Sequence, residues 1–307
     1  MHWPEAIRNG VVLKTRATVR EITVNAEGLA DGALYYDADG TLQEQKARIV
    51  VVACNDIGTP RLLLNSTSSR FPDGLANSSG LVGKGLMGHP KATTSAEFED
   101  EDPASVAVGG SMAIHEFYDP MPGRDFVGGG QMSTGNFFSP IAVALGTQPE
   151  SLVTTIPASL EPGVPGTATA IPWGAAHHAR FEERYRRTAT VNIHTSELAD
   201  EANRVELHPT LTDDFGTPAP KLLYRRSDNT IKLLAFALER AKELLEEAGA
   251  TRITEAEWET KSMGRGASPG HYLGTARMGN DCARSVVDKW DVPTTCRISS
   301  PSTAVSL

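Results

Sequence analysis

The chain has 307 residues, of which 40% are hydrophobic and 22% charged, an ordinary globular composition long enough for two domains. With 38 acidic against 29 basic residues its net charge is -9, which argues against nucleic acid as a partner, because phosphate binding needs a clustered basic face. No apolar run is long enough to span a bilayer and MHWPEAIRNG has no apolar signal core, so a cytoplasmic protein without a membrane segment is expected from the sequence as given. Cys54, Cys282 and Cys296 are odd in number and widely spaced, which fits neither a disulfide framework nor a metal site and suggests a reducing compartment.

In chain order, VVLKTRATVREITV (11–24) alternates apolar and polar residues as a strand does, and LADGALYYDADGTLQEQ (29–45) predicts a hairpin turning at Asp39-Gly40. ARIVVVA (47–53) has the continuous apolar character of a buried strand. It runs into CNDIGTPRLLLNS, where Thr59 is expected to cap a helix that begins at Pro60, with Leu62, Leu63 and Leu64 packing beneath it. Such a helix start would offer amides and a positive dipole end to an anion. From about residue 96, short strands separated by glycine and proline, as in 127–140 and 159–172, predict an antiparallel sheet. RFEERYRR (180–187) reads as a solvated helix face. In 227–250, Ile231, Leu234, Leu238, Ala241, Leu245 and Ala248 share one face of a helix that starts near Ser227 or Asp228, stops at Gly249 and packs across that sheet.

Several motifs call for a bland interpretation. GKGLMG (83–88) matches GxGxxG literally, yet no buried strand precedes it and His89-Pro90 stops any helix after it, so it is not expected to hold a dinucleotide. His177 and His178 sit on a predicted helix without a third ligand, and no metal residues are assigned. His89, His194 and His208 read as turn or loop residues. HYLGTARMG (271–279) is different, because Gly274 and Thr275 can fix an imidazole in a rigid turn. An alcohol becomes a good hydride donor once its hydroxyl proton is shared, a task suited to a neutral imidazole.

HYLGTARMG followed by SVVDKW, together with VVVACNDIGTPRLLLNS, resembles the C-terminal part of the flavin-dependent glucose-methanol-choline (GMC) oxidoreductases, over nearly all of residues 3–290. The resemblance implies an α+β fold, with an incomplete FAD-binding α/β domain and an antiparallel substrate sheet carrying helices. It divides the chain into 1–95 (FAD-binding), 96–260 (substrate-binding), 261–290 (a return to the FAD-binding domain) and 291–307. It implies oxidation of a CH-OH group of an alcohol, sugar or polyol, with FAD as cofactor and His271 as catalytic base. It places Val19 by its backbone against the adenine, Ala53, Cys54 and Asn55 at the turn against the adenosine and pyrophosphate, and Thr59 in the family's second signature. His89 falls in a segment beside the flavin. The family's glycine-rich phosphate loop and second catalytic side chain have no counterpart here, so the chain by itself is expected to bind FAD weakly. The tail DVPTTCRISSPSTAVSL departs from the family pattern, and a shift of reading frame near Pro293 accounts for it. Rival readings are a non-catalytic subunit that needs a separate FAD-binding chain, and a metal hydrolase using His177 and His178. An electron-acceptor protein is a further expected partner.

Overall fold

A computed structural model describes residues 2–101, 112–119, 122–134, 174–255, 271–294 and 305–306. In chain order the elements are α1 (Trp3–Arg8), β1 (Thr18–Val24), β2 (Ala30–Tyr36), β3 (Leu42–Lys46), β4 (Val50–Val51), α2 (Asn55–Asn65), β5 (Lys91–Glu97), β6 (Ala113–Ile114), β7 (Gly130–Thr134), α3 (Ala175–Arg184), β8 (Thr188–Thr195), β9 (Arg204–Thr212), β10 (Pro218–Leu223), α4 (Asp228–Glu247), β11 (Arg252–Glu255) and β12 (Val305–Ser306). Helices and mainly antiparallel sheets make the fold α+β. Two compact units divide it: Met1–Met87 with Ala199–Tyr224 and Tyr272–Leu307, and Gly88–Leu198 with Arg225–His271. The segments 159–172 and 258–270 and most of the 291–307 tail lie outside the described residues.

In the first unit, β1, β2 and β3 form an antiparallel sheet in that order, so β1 is an edge strand. The expected hairpin is present: Gly40 adopts φ 77°, and the amides of Asp39 and Thr41 donate to Asp37 Oδ1 at 3.0 and 2.9 Å. β1 begins only at Thr18, and Val11, Val12 and Leu13 are exposed. Its core joins Ile22, Val52, Leu62, Leu63, Val82, Val286 and Val287. The expectation of a fully buried strand over 47–53 is corrected. β4 has two residues, and Ile49 and Val51 are 61% and 65% exposed, because no described segment packs over their outer face. The hairpin of β9 and β10 packs on α2, where Arg61 pairs with Asp213 at 2.7 Å and donates to the Pro218 and Thr217 carbonyls.

The second unit is a five-stranded antiparallel sheet of order β11-β5-β8-β7-β6. As expected, α4 packs across it. The Ser227 hydroxyl caps the helix by accepting from the Thr230 amide at 3.2 Å. Its buried stripe is Thr230, Leu233, Leu234, Ala237, Leu238, Ala241 and Leu245. Leu233 and Ala237 are buried in place of the predicted Ile231 and Ala248, because the face that packs with Ala92, Met132, Val191 and Ile193 is centred on Leu234, Leu238 and Ala241. The basic run on α3 is not simply solvated: Arg184 and Arg180 meet Glu97 at 3.2 and 3.6 Å, and Arg184 is only 14% exposed. No described helix is long and apolar enough to cross a membrane.

Candidate active site

The start of α2 differs from the expectation, and a single side chain explains why. Asn55 adopts φ 59°, outside the helical region, while its Oδ1 accepts from the amides of Ile57 and Gly58 at 2.9 and 3.1 Å. This is the geometry of an N-cap, so the capping expected of Thr59 belongs to Asn55. Thr59 is buried within the helix, and Pro60 stands inside it rather than at its first position. The amides expected to be open to an anion are already engaged.

Pro60 has no N–H, so the Asp56 carbonyl one turn earlier loses its helical donor. Thr275 supplies a replacement. Its buried hydroxyl lies 2.9 Å from Asp56 O and 3.1 Å from Asp56 Oδ1, and its amide donates to the same carboxylate at 3.3 Å. Sequence reading missed this clasp, although a proline in the first turns of a helix signals an orphaned carbonyl. Thr275→Val should cost about 1–3 kcal/mol, because it leaves a buried acceptor unpaired. Pro60→Ala restores a donor, so denaturant unfolding of the double variant should show a cost below the sum of the single ones. Strict additivity would disprove the link.

GKGLMG serves the same loop. The Gly83 amide donates to Thr275 O at 2.8 Å, the Met87 amide to Leu273 O at 2.9 Å, and the Val205 amide to Gly83 O at 2.8 Å. Its glycines allow backbone to approach backbone. The residues assigned to a nucleotide divide in their setting. Val19 is 45% exposed on the edge strand β1, and Ala53, Cys54 and Asn55 form an exposed turn, whereas Thr59 is interior. These surfaces fit a flat adenosine contact, but the engaged Ile57 and Gly58 amides do not fit a phosphate unless Asn55 moves. A cleft of about 500 Å³ in the same unit, lined by Leu64, Asn77, Val82, Lys84 and Arg204, contains none of them.

The second unit gathers histidines. His271 is exposed and holds φ 56°, an uncommon conformation for a residue with a side chain. The His89 ring meets it edge to face, with ring centroids 5.4 Å apart. His194, expected in a loop, lies on β8, where it alternates with the buried Val191, Ile193 and Thr195. The period of two in TVNIHT was the signal that could have found it. Burial holds the His194 imidazole below the usual histidine value, and the positive charges of Lys91, His89 and His271 push it the same way. His208 lies on β9, also not in a loop, and its Nδ1 accepts from the Thr210 and Leu211 amides. Among the described residues no group of three or more histidines, cysteines or carboxylates could hold a metal ion. Cys282 is disulfide-bonded, which corrects the expectation that the cysteines form no disulfide; wide spacing in sequence says nothing about separation in the fold.

Residues 199–291 match the family model described as GMC oxidoreductase, in its C-terminal part. The chain is 35% identical to 2-methyl-1,2-propanediol dehydrogenase of Mycolicibacterium austroafricanum, covering 95% of this chain and 50% of that protein. It is 29% identical to the fructose dehydrogenase large subunit of Gluconobacter japonicus, covering 93% and 47%. A solved structure of the formate oxidase of Aspergillus oryzae, studied for its FAD modification, superposes with a TM-score of 0.56 at 15% identity, over 94% of this chain and 54% of that one. The chain thus spans about half the length of the curated relatives it matches.

Proposed function

Because this chain belongs to the GMC oxidoreductases, as their C-terminal part, we propose that it forms the substrate-side portion of an FAD-dependent enzyme that oxidises a CH-OH group of an alcohol, sugar or polyol. The observation that carries the reading is His271: the histidine of the family motif is exposed, held in a left-handed turn, and packed against a second imidazole. Bound FAD supplies the hydride acceptor. A ring nitrogen of His271 takes the hydroxyl proton as the C–H bond breaks, so the alcohol leaves as a carbonyl compound. Edge-to-face contact with His89 restrains the His271 ring, which favours one orientation for proton transfer.

Val19 and the Ala53–Asn55 turn would take the adenosine end of the cofactor. The phosphates need other donors, since Asn55 occupies the amides at the start of α2. A second reading follows from Ile49 and Val51, whose exposure favours a separate polypeptide that covers them and brings the phosphate site. Expression of the chain by itself in flavin-rich cells tests both. Flavin well below one per chain is expected, rising towards one on co-expression with the N-terminal half of a relative. A fully flavinated isolated chain would overturn the second reading, and no flavin in either case would overturn the first.

A further inference from the structure

The sheet of the second unit has one face sealed by α4 and one polar face. Register partners stand side by side across neighbouring strands. Lys91 pairs with His194 and His194 with Gln131, so the three form one rung. Ala92, Ile193 and Met132 of the adjoining rung point into the α4 core, which puts Lys91, His194 and Gln131 on the face away from the helix. Two residues along the strands the same face carries Thr93, Asn192 and Ser133, where Thr93 Oγ1 donates to Asn192 Oδ1 at 3.3 Å.

The first rung is one-sided in its chemistry. Lys91 is half-buried and has no ion-pair or hydrogen-bond partner among the described residues. His115 Nε2 lies 3.1 Å from Gln131 Oε1; a carboxamide oxygen only accepts, so His115 donates and the Gln131 NH₂ remains as a donor. Two of the described carboxylates on or beside these strands are engaged elsewhere. Glu97 lies six residues further along β5, roughly 20 Å away, with Arg180 and Arg184, and Glu197 accepts the Gly88 amide at 2.9 Å. Lys91, His89 and His271 all bear on His194 as positive charges, so the rung lies beside the His89–His271 pair.

Resting on the alcohol-oxidising reading above, we infer that the substrate is a hydroxy acid of the polyhydroxy class, whose carboxylate is held by Lys91 and the Gln131 amide. A carboxylate accepts from the Lys91 ammonium and the Gln131 amide together, and its charge opposes that of the basic side chains gathered there. Thr93, Asn192 and Ser133 then offer neutral donors and acceptors to the hydroxyls.

Calorimetric titration of the protein with gluconate and with glucitol, its neutral counterpart, tests this. Gluconate should bind at least about 10-fold more tightly. Lys91→Met should erase the difference, while Lys91→Arg should keep most of it. Equal affinities, a preference for glucitol, a preference that survives in Lys91→Met, or binding of neither compound would each overturn the inference. Flavin bleaching under anaerobic conditions, in the flavin-loaded protein co-expressed with the N-terminal half of a relative, reads the underlying activity separately. Gluconate that binds through Lys91 but bleaches no flavin sinks the oxidoreductase reading and leaves the anion site standing.

Discussion

His271→Gln in the flavin-loaded protein should lower turnover by about 10²- to 10⁴-fold while changing the apparent substrate affinity far less. Glutamine keeps a polar side chain of similar reach but cannot take a proton, so the substrate alcohol must lose hydride without a base. The site around it should persist, since His271 is exposed and its ring is held mainly by the edge of His89. Two further readouts separate proton transfer from mere positioning. The solvent deuterium isotope effect on kcat should be lost in the variant, and His89→Gln should reduce kcat by a smaller factor with that effect retained. His177→Gln on α3, a partly exposed position away from these rings in sequence and element, serves as the control and should leave turnover unchanged. Undiminished turnover in His271→Gln would remove the residue from the mechanism.

Much of this arrangement was legible because it rests on local patterns. The Asp39-Gly40 hairpin, the Ser227 cap and the apolar stripe of α4 depend on neighbours within a few residues, and the sequence contains those neighbours. The start of α2 was not, because Asn55 enters the left-handed region and caps the helix itself, a choice that Thr59-Pro60 masks. The exposure of Ile49 and Val51 is invisible for a different reason. An apolar run states that a strand wants cover and not whether the cover lies in the same described chain. The Thr275–Asp56 clasp spans 219 positions in sequence, and such a separation leaves no periodic trace. His194 escapes notice when a histidine is weighed alone and not against its alternating neighbours.

Gly274→Ala should be strongly destabilising, costing upwards of about 4 kcal/mol or preventing folding. Gly274 holds φ 98°, and a Cβ there would collide with the carbonyl oxygen of Gly85 and approach Met87 Cε to 2.8 Å. The oxygen belongs to backbone tied in turn by the Gly85 and Leu86 amides to Asn203 O, so it cannot swing aside. Gly10 supplies the comparison, since it has φ 90° but no atom within 4 Å of where an added methyl group would stand. Gly10→Ala pays only for the left-handed backbone, about 1–2 kcal/mol. The difference between the two in chemical denaturation therefore measures the close approach itself. Gly83→Ala should resemble Gly274→Ala, because its Cβ would collide with the Val205 carbonyl oxygen. If both behave like Gly10→Ala, the glycines of GKGLMG and HYLGTARMG do not form one backbone clasp, and the rigidity attributed to the turn that carries His271 has no structural source.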